Sequence, residues 1–596
     1  MSSNEEASPE IKWDLSDLYK SPEDPHFHND KKYVHKMADQ FAESYHGKVS
    51  DLEAGELKEA LDHYETILDK MGRMGSFAYL RWTTNTEDSS YGKLVQEMKE
   101  LSSDINRKLL FFELEWTHVD DDRAEKLMNH PELKGYKHHL ETTRLYKPYR
   151  LTEKEEQVLS AKSVTGRSAW NRYFDETFGA ARFELDGKTL TEQEVLSKMH
   201  EPDRELRQRA SESMTSGLKN LSRSLTFIFN TLVADKHTND KLRGYPHWLK
   251  SRNLANEIRD ESVDALVDTV TGSYDLVQRY YRLKRSLLGY DELYEYDRYA
   301  PLLSSTENIS WNEARDMVVE AYDEFHPHMA EVTKLFFQRN WIDASIRPGK
   351  RGGAYSASTV PSVHPYVFMN FDGKIRDVQT LAHELGHGVH QYLSKDQGVL
   401  QSGTPLTTAE TASVFGEMLV FQKLKRQLSN EREKLALLLG KIDDTIATVY
   451  RQISMNRFEH ALHTARREEG ELNTDRISEL WMDTQKALYG DSVTLTDNYR
   501  IWWSYIPHFL HAPGYVYAYA FGELLVLALY EQYQQSENGF ADKYLQLLKA
   551  GGSDWPENLT APLGVDINSA DFWSNGIRSI EKMVDEAEVL AQQIQN

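Results

Sequence analysis

His383, Glu384 and His387 stand in the order His-Glu-Leu-Gly-His. On an α-helix, residues four apart lie on one face about one turn apart, so both imidazoles can converge on one ion. Glu384 lies about 100° round from His383, within reach of a water at that ion without being a ligand. The chemistry this spacing offers is metal-assisted attack of water. Such a site needs three protein ligands and one open position. Glu410, in Thr408-Ala-Glu-Thr-Ala-Ser413, lies 410 − 383 = 27 residues downstream on a second helical segment and is the expected third ligand. The chain has no cysteine, so thiolate ligands, disulfides and a cysteine nucleophile are all excluded. The expected cofactor is a Zn²⁺ ion held by His383, His387 and Glu410, with Glu384 as general base and then acid. Manganese or cobalt would suit the same ligands. Glu417, two turns beyond Glu410, is expected to orient a ligand histidine. His390 is expected to be structural, and His460 and His463, beside Glu459, to face the helix surface.

These side chains require two helices that approach closely. Gly386 and Gly388 interrupt the first, each costing about 1 kcal/mol against alanine in a helix interior. Ala409, Ala412, Ser413 and Gly416 give the second a small-residue face. Asp377, after the Asp372-Gly373 turn, is the expected N-cap of the first helix. Apolar residues recur three and four apart through most of the chain, as in Leu57, Leu61, Tyr64, Leu68 and Met71. The fold class is therefore mostly α. Helical patterns cover 153–162, 192–239, 261–288, 311–337, 431–470 and 515–534. Strand signals are local. Arg182 to Leu190 alternates around an Asp186-Gly187 hairpin turn. Gly352-Gly353-Ala354-Tyr355 and Tyr366 to Phe371 predict a small β-sheet just before the His383 helix. An extended peptide could add along the edge formed by Gly352, Gly353, Ala354 and Tyr355. No repeat period emerges, and a soft division near residue 195 separates an N-terminal helical lobe (1–195, with a small lobe around 115–190) from a catalytic domain (196–596).

A second cluster is rich in aromatics. Trp502 to Tyr519 includes His508, His511, Pro513, Tyr515, Tyr517 and Tyr519. Pro513 fits a helix start. On the helix that follows, Tyr515 and Tyr519 share a face and Tyr517 points towards a core. Tyrosine hydroxyls or a protonated histidine suit an oxyanion, and the same stripe equally suits core packing.

The 70 Lys plus Arg against 94 Asp plus Glu give a formal charge of −24. That balance disfavours nucleic acid and anionic membranes as partners. The acidic Met-Ser-Ser-Asn-Glu-Glu start has no export pattern, and the apolar run Leu524 to Tyr530 is too short to span a bilayer, so a cytoplasmic protein is expected.

Across nearly its whole length the chain resembles the oligoendopeptidase F branch of the thimet oligopeptidase family of zinc metallopeptidases. The resemblance rests on Trp13-Asp-Leu-Ser-Asp-Leu-Tyr19, Gly352-Gly-Ala354, His383-Glu-Leu-Gly-His387 with Ala409-Glu-x-Ala-Ser413, Pro507-His-Phe509 and Tyr515-Val-Tyr-x-Tyr519. It implies a helical, two-lobed, clefted fold that cleaves short unstructured peptides. It also implies His383, His387 and Glu410 as zinc ligands, and Tyr515 or Tyr519 with an upstream histidine as oxyanion donors. Both His508 and His511 lie near the expected spacing. Thimet-type members carry another tyrosine where this chain has Gly522. Two other functions share the ligand set: a zinc peptidyl-dipeptidase or carboxypeptidase, and a non-catalytic peptide-binding protein with a structural metal. An exopeptidase needs a cation for the substrate carboxylate, and Tyr505 to Gly522 contains no Arg or Lys.

Overall fold

The computed structural model describes residues 10–302, 308–535 and 539–595. It is mostly helical, with one two-stranded and one three-stranded sheet among the described residues. The chain forms two compact units, each assembled from three segments. The first comprises Met1–Lys147, Thr306–Gln427 and Gln532–Val565; the second comprises Pro148–Ser305, Leu428–Glu531 and Asp566–Asn596. The linear division at residue 195 falls inside the second unit.

In the first unit, helices Pro25–Tyr45, Ala54–Thr84 and Ser89–His118 pack on one another. Asp24 caps the first of these by accepting from the His26 N–H, with Pro25 occupying a position that needs no donor. The apolar stripe of the second helix passes through Leu57, Leu61 and Tyr64 as its spacing predicts. It then continues through Ile67 and Met74 rather than Leu68 and Met71, because a 3.6-residue period drifts round the helix. The helical run predicted over 311–337 is two helices, Trp311–Phe325 and Pro327–Gln338. Pro327 lacks the N–H that a continuing helix would need, and it starts the second helix instead.

Strands β3 (Ile342–Asp343), β4 (Tyr355–Ala357) and β5 (Tyr366–Phe368) form a sheet in the order β3-β5-β4. The central strand β5 is fully buried, with Trp13 packed against Tyr366 and Phe368. β4 is an edge strand, antiparallel to β5. The helix Ile375–Ser394 follows this sheet and packs on both strands. Asp377 is not its N-cap: it occupies the third helical position, and its carboxylate accepts from the Asp372 and Lys374 N–H groups at 2.8 and 3.0 Å.

In the second unit, β1 (Phe183–Leu185) and β2 (Lys188–Leu190) form the expected hairpin. Asp186 and Gly187 both have positive φ, as a tight two-residue turn requires. The 40-residue helix Arg204–Arg243 packs its Phe229 against Trp503 at 4.8 Å between ring centroids. The run predicted over 431–470 is helical to Glu468 but contains a π-turn at Ile446–Tyr450. Among the described residues no helix is long and apolar enough to cross a membrane.

Among the described residues of the first unit, the most extensive helix–helix contact joins Ile375–Ser394 to Thr411–Gln427. A Cβ on Gly386 would lie 2.4 Å from the Ala412 carbonyl oxygen and 2.6 Å from the Ser413 Cα. Both obstacles are backbone, so neither can swing aside. Gly386→Ala should lower stability by about 2 kcal/mol in urea denaturation, as overpacking does. Gly440→Ala, on an exposed helical face with nothing near its Cβ, should instead raise stability by about 0.5–1 kcal/mol. Equal midpoints for the two variants would contradict the close crossing.

Candidate metal centre

The buried face of Ile375–Ser394, formed by Leu381, Ala382, Leu385, Val389 and Leu393, seats the helix in the core. His383 and His387 consequently rise from its other side, with their rings 5.0 Å apart between centroids. Glu410 sits between a single helical turn, Leu406–Ala409, and the helix Thr411–Gln427. The Gly386 crossing brings its carboxylate to both imidazoles. Glu410 Oε2 is 3.4 Å from His383 Nε2 and 3.3 Å from His387 Nε2. Among the described residues these three form the group whose ligand atoms all lie within 4.8 Å of one another. A tetrahedral ion with ligand bonds of about 2.1 Å would set neighbouring ligand atoms about 3.4 Å apart. Two imidazole nitrogens and a carboxylate oxygen at these separations therefore fit a divalent ion.

Further contacts hold these three side chains in place. Ser413 Oγ donates to Glu410 Oε2 at 2.6 Å. Glu417 Oε2 lies 3.4 Å from His383 Nδ1, which leaves Nε2 facing Glu410. Tyr322 donates to the Ala382 carbonyl at 2.6 Å and fills the space a Cβ on Gly416 would take. Spacing marks Ser413 and Gly416 only as small residues; Ser413 also bonds Glu410 one turn away, and the steric role of Gly416 depends on Tyr322 from another helix.

The local electrostatics follow from burial and clustered acids. Burial works against charge on His383, but the Glu417, Glu410 and Glu384 carboxylates outweigh it and push it up to about 9. Burial also opposes ionisation of Glu410, yet His387, His383 and the Ser413 hydroxyl hold it down to about 2. Glu384 is 7% exposed, and burial pushes its carboxyl above the usual range. The neighbouring imidazoles and the Ser356 N–H of β4 pull it the other way. Gly352, Gly353 and Ala354 lead into this edge strand, and Tyr355 within it shares a hydrogen bond with Thr83 at 2.7 Å. Gly353 has φ +84°, so any side chain there would be strained. His390 is buried and does not belong to this group of three, and its Nε2 has no hydrogen-bond partner among the described residues.

The aromatic segment lies in the second unit. His508 Nε2 is 3.3 Å from the Tyr519 hydroxyl and its ring stacks near Tyr515, while the two tyrosine rings meet edge-on at 4.8 Å. His511 is not part of this cluster: it pairs with Asp175 at 2.9 Å. The helix begins at Tyr517, later than Pro513 suggested. Gly514 takes a left-handed φ of +74°, and its N–H donates to Glu459 Oε1 at 2.8 Å, so Tyr515 stands on a turn. Tyr517 is fully buried against Asn253 and Asn256, as its spacing suggested. Glu459 and His463 are not surface residues. Glu459 is 0% exposed, and burial pushes its carboxyl up to about 8. His463 stacks on Trp248 at 4.7 Å. His460 is exposed.

The pattern of peptidase family M3 matches residues 197–579, and that of oligopeptidase F matches 115–183. The oligopeptidase PepF of Bacillus subtilis is 27% identical over 599 residues, covering 99% of this chain and 88% of its own. The group B oligopeptidase PepB of Streptococcus agalactiae is 28% identical and covers 86% of each chain. The crystal structure of oligoendopeptidase-F from Enterococcus faecium shares the fold, with a TM-score of 0.72 at 22% identity over 95% of this chain and 99% of its own.

Metal-free protein should depend on pH in two windows. His383, raised from 6.5 to about 9, adds stability below 6.5 that is lost as the pH rises through about 9. Glu410, lowered from 4.5 to about 2, adds stability above 4.5 that is lost as the pH falls through about 2. The Tm of chelated protein should therefore fall between pH 6.5 and 9, and Glu417→Gln should shrink that fall. Metal-replete protein should lack it, because a ligating imidazole is already neutral. A flat alkaline profile after chelation would refute this reading.

Proposed function

Because the chain belongs to peptidase family M3, whose oligoendopeptidases are metalloendopeptidases that hydrolyse peptides, we propose that it is a zinc-dependent endopeptidase of short unstructured peptides with His383, His387 and Glu410 as ligands. The observation that supports this most strongly is the convergence of those three side chains at ligand spacing, with Glu384 one residue from the first. When bound, the ion supplies Lewis acidity, polarising a carbonyl and easing loss of a proton from water. The remaining steps belong to the chain. The Glu384 carboxylate takes the proton of the attacking water and returns it to the departing amine nitrogen. Its raised affinity for protons, set by burial, suits both halves of that transfer. Glu417 and Ser413 keep His383 and Glu410 oriented.

The outer edge of β4, a half-buried strand at the end of its sheet, suits an extended peptide that adds as a strand, which would read backbone and tolerate varied side chains. Gly352 is the informative position, because its Cβ site is open and its backbone unstrained. Resemblance to the family assigns oxyanion donation to Tyr515 and Tyr519. His508, which clusters with them, is the better histidine candidate than His511, which is paired with Asp175.

Glu384→Gln should retain its metal while hydrolysis of a quenched fluorescent peptide falls by about 10²–10⁴-fold, the usual contribution of a general base. Metal content is read by elemental mass spectrometry. Chelation should abolish turnover in the wild type and zinc should restore it. Full activity in Glu384→Gln would end the proposal. Gly352→Val should raise KM more than it lowers kcat; an unchanged KM would remove β4 from the substrate path.

A further inference from the structure

The second unit buries guanidinium charge that no carboxylate among the described residues neutralises. Arg298 is 4% exposed and lies against the rings of Tyr299, Tyr489 and Tyr499, at 5.3, 4.9 and 5.0 Å from their centroids. Its Nε donates to the Glu295 carbonyl at 2.9 Å, and its terminal nitrogens donate to the hydroxyls of Tyr489 and of Tyr499. Arg451 lies over the same Tyr299 ring at 5.6 Å. Among the described residues neither guanidinium has a carboxylate within 4.0 Å. The nearby acids are committed elsewhere. Asp297 pairs with Arg207 at 2.9 Å and Arg204 at 2.8 Å, and Asp443 pairs with Lys284 at 2.8 Å. Glu295 accepts from the backbone and hydroxyl of Thr496.

The cluster has a solvent-facing rim. Arg451, Tyr299 and Tyr505 are partly exposed, whereas Arg298, Tyr489 and Tyr499 are buried behind them. Burial alone raises the Tyr299 hydroxyl, yet Arg451 and Arg298 outweigh it and hold it below its usual value, a sign of a strongly positive local field. A second observation concerns the backbone. The π-turn Ile446–Tyr450 ends at the residue before Arg451, inside an otherwise α-helical run. Such turns are rare and concentrate at functional sites.

Buried cations without counter-ions are costly unless something else supplies the charge. A guanidinium fork matches the two oxygens of a carboxylate, and phenol hydroxyls can donate beside it. We propose that Arg451, backed by Arg298 and flanked by Tyr299 and Tyr505, binds a carboxylate. The carboxylate belongs either to a peptide or to a small free anion. The peptide source rests on the peptidase reading above; the free-anion source does not.

Two measurements on the metal-replete protein test the site. In the first, sodium acetate replaces sodium chloride at constant ionic strength while Tm is followed. The wild type should show a saturable rise, Arg451→Gln should show none, and Arg451→Lys should need about tenfold more acetate because it keeps the charge and loses the fork. In the second, KM is compared for one peptide with a free C-terminal carboxylate and with a C-terminal amide. A KM about tenfold higher for the amide, abolished by Arg451→Gln, would identify the peptide as the source. Equal KM values with an Arg451-dependent acetate effect would identify a free anion. Where Arg451→Gln does not fold, Arg451→Lys and Tyr299→Phe carry the comparison. Acetate midpoints and KM ratios that match the wild type in these variants overturn the proposal. The acetate measurement stands even for a protein that cleaves nothing, so its failure and failure of the peptidase reading are distinct.

Discussion

The candidate centre depends on a backbone-to-backbone approach. Gly386 lets the helix Ile375–Ser394 meet Thr411–Gln427 at a distance that any side chain would prevent. A glutamate is short, so its carboxylate reaches two imidazoles on a neighbouring helix only if the helices nearly touch. The same crossing places Glu417 against His383, while Ser413 holds Glu410 from one turn further along its own segment. Tyr322, filling the space beside Gly416 and bonded to the Ala382 carbonyl, closes the other side of the pair. The glycines lower helix propensity in exchange for proximity.

Charge is arranged in opposite ways in the two units. Three carboxylates gather around two imidazoles in the first, an arrangement that holds Glu410 ionised and favours a cation. Two guanidiniums gather among phenols in the second, without an acid within 4.0 Å among the described residues. Both arrangements are expensive in isolation, since burial disfavours any uncompensated charge. A ligand of the opposite sign would relieve each of them. The −24 formal charge of the chain gives no hint of this local inversion, because net charge sums the surface and says little about a few buried groups.

The helical class, the β1–β2 hairpin and the convergence of His383 and His387 were legible from local rules. Helix period, turn chemistry and i, i+4 spacing each span only a few residues, and these features need nothing more. Glu410 was legible through its small-residue surroundings, which signalled a close helix contact before any partner was visible. The errors also share a cause. Asp377 has the chemistry of a cap, but the helix begins two residues earlier, at Ile375, and Asp377 secures that start from within. His463 looks like a surface residue on a charged helix until Trp248 covers it, and the Gly514 turn covers Glu459 beside it.

Sequence by itself determined which residues could bind a metal ion and which helix would carry two of them, because that pattern is complete within one turn of backbone. It likewise set the composition that excludes thiol chemistry. Only the tertiary structure decided that the carboxylate at 410 meets those imidazoles, that His508 rather than His511 joins the tyrosines, and that Arg298 and Arg451 lack acids among the described residues. Each of these is a distance between segments far apart in the chain, and such distances come from packing, which no local periodicity encodes.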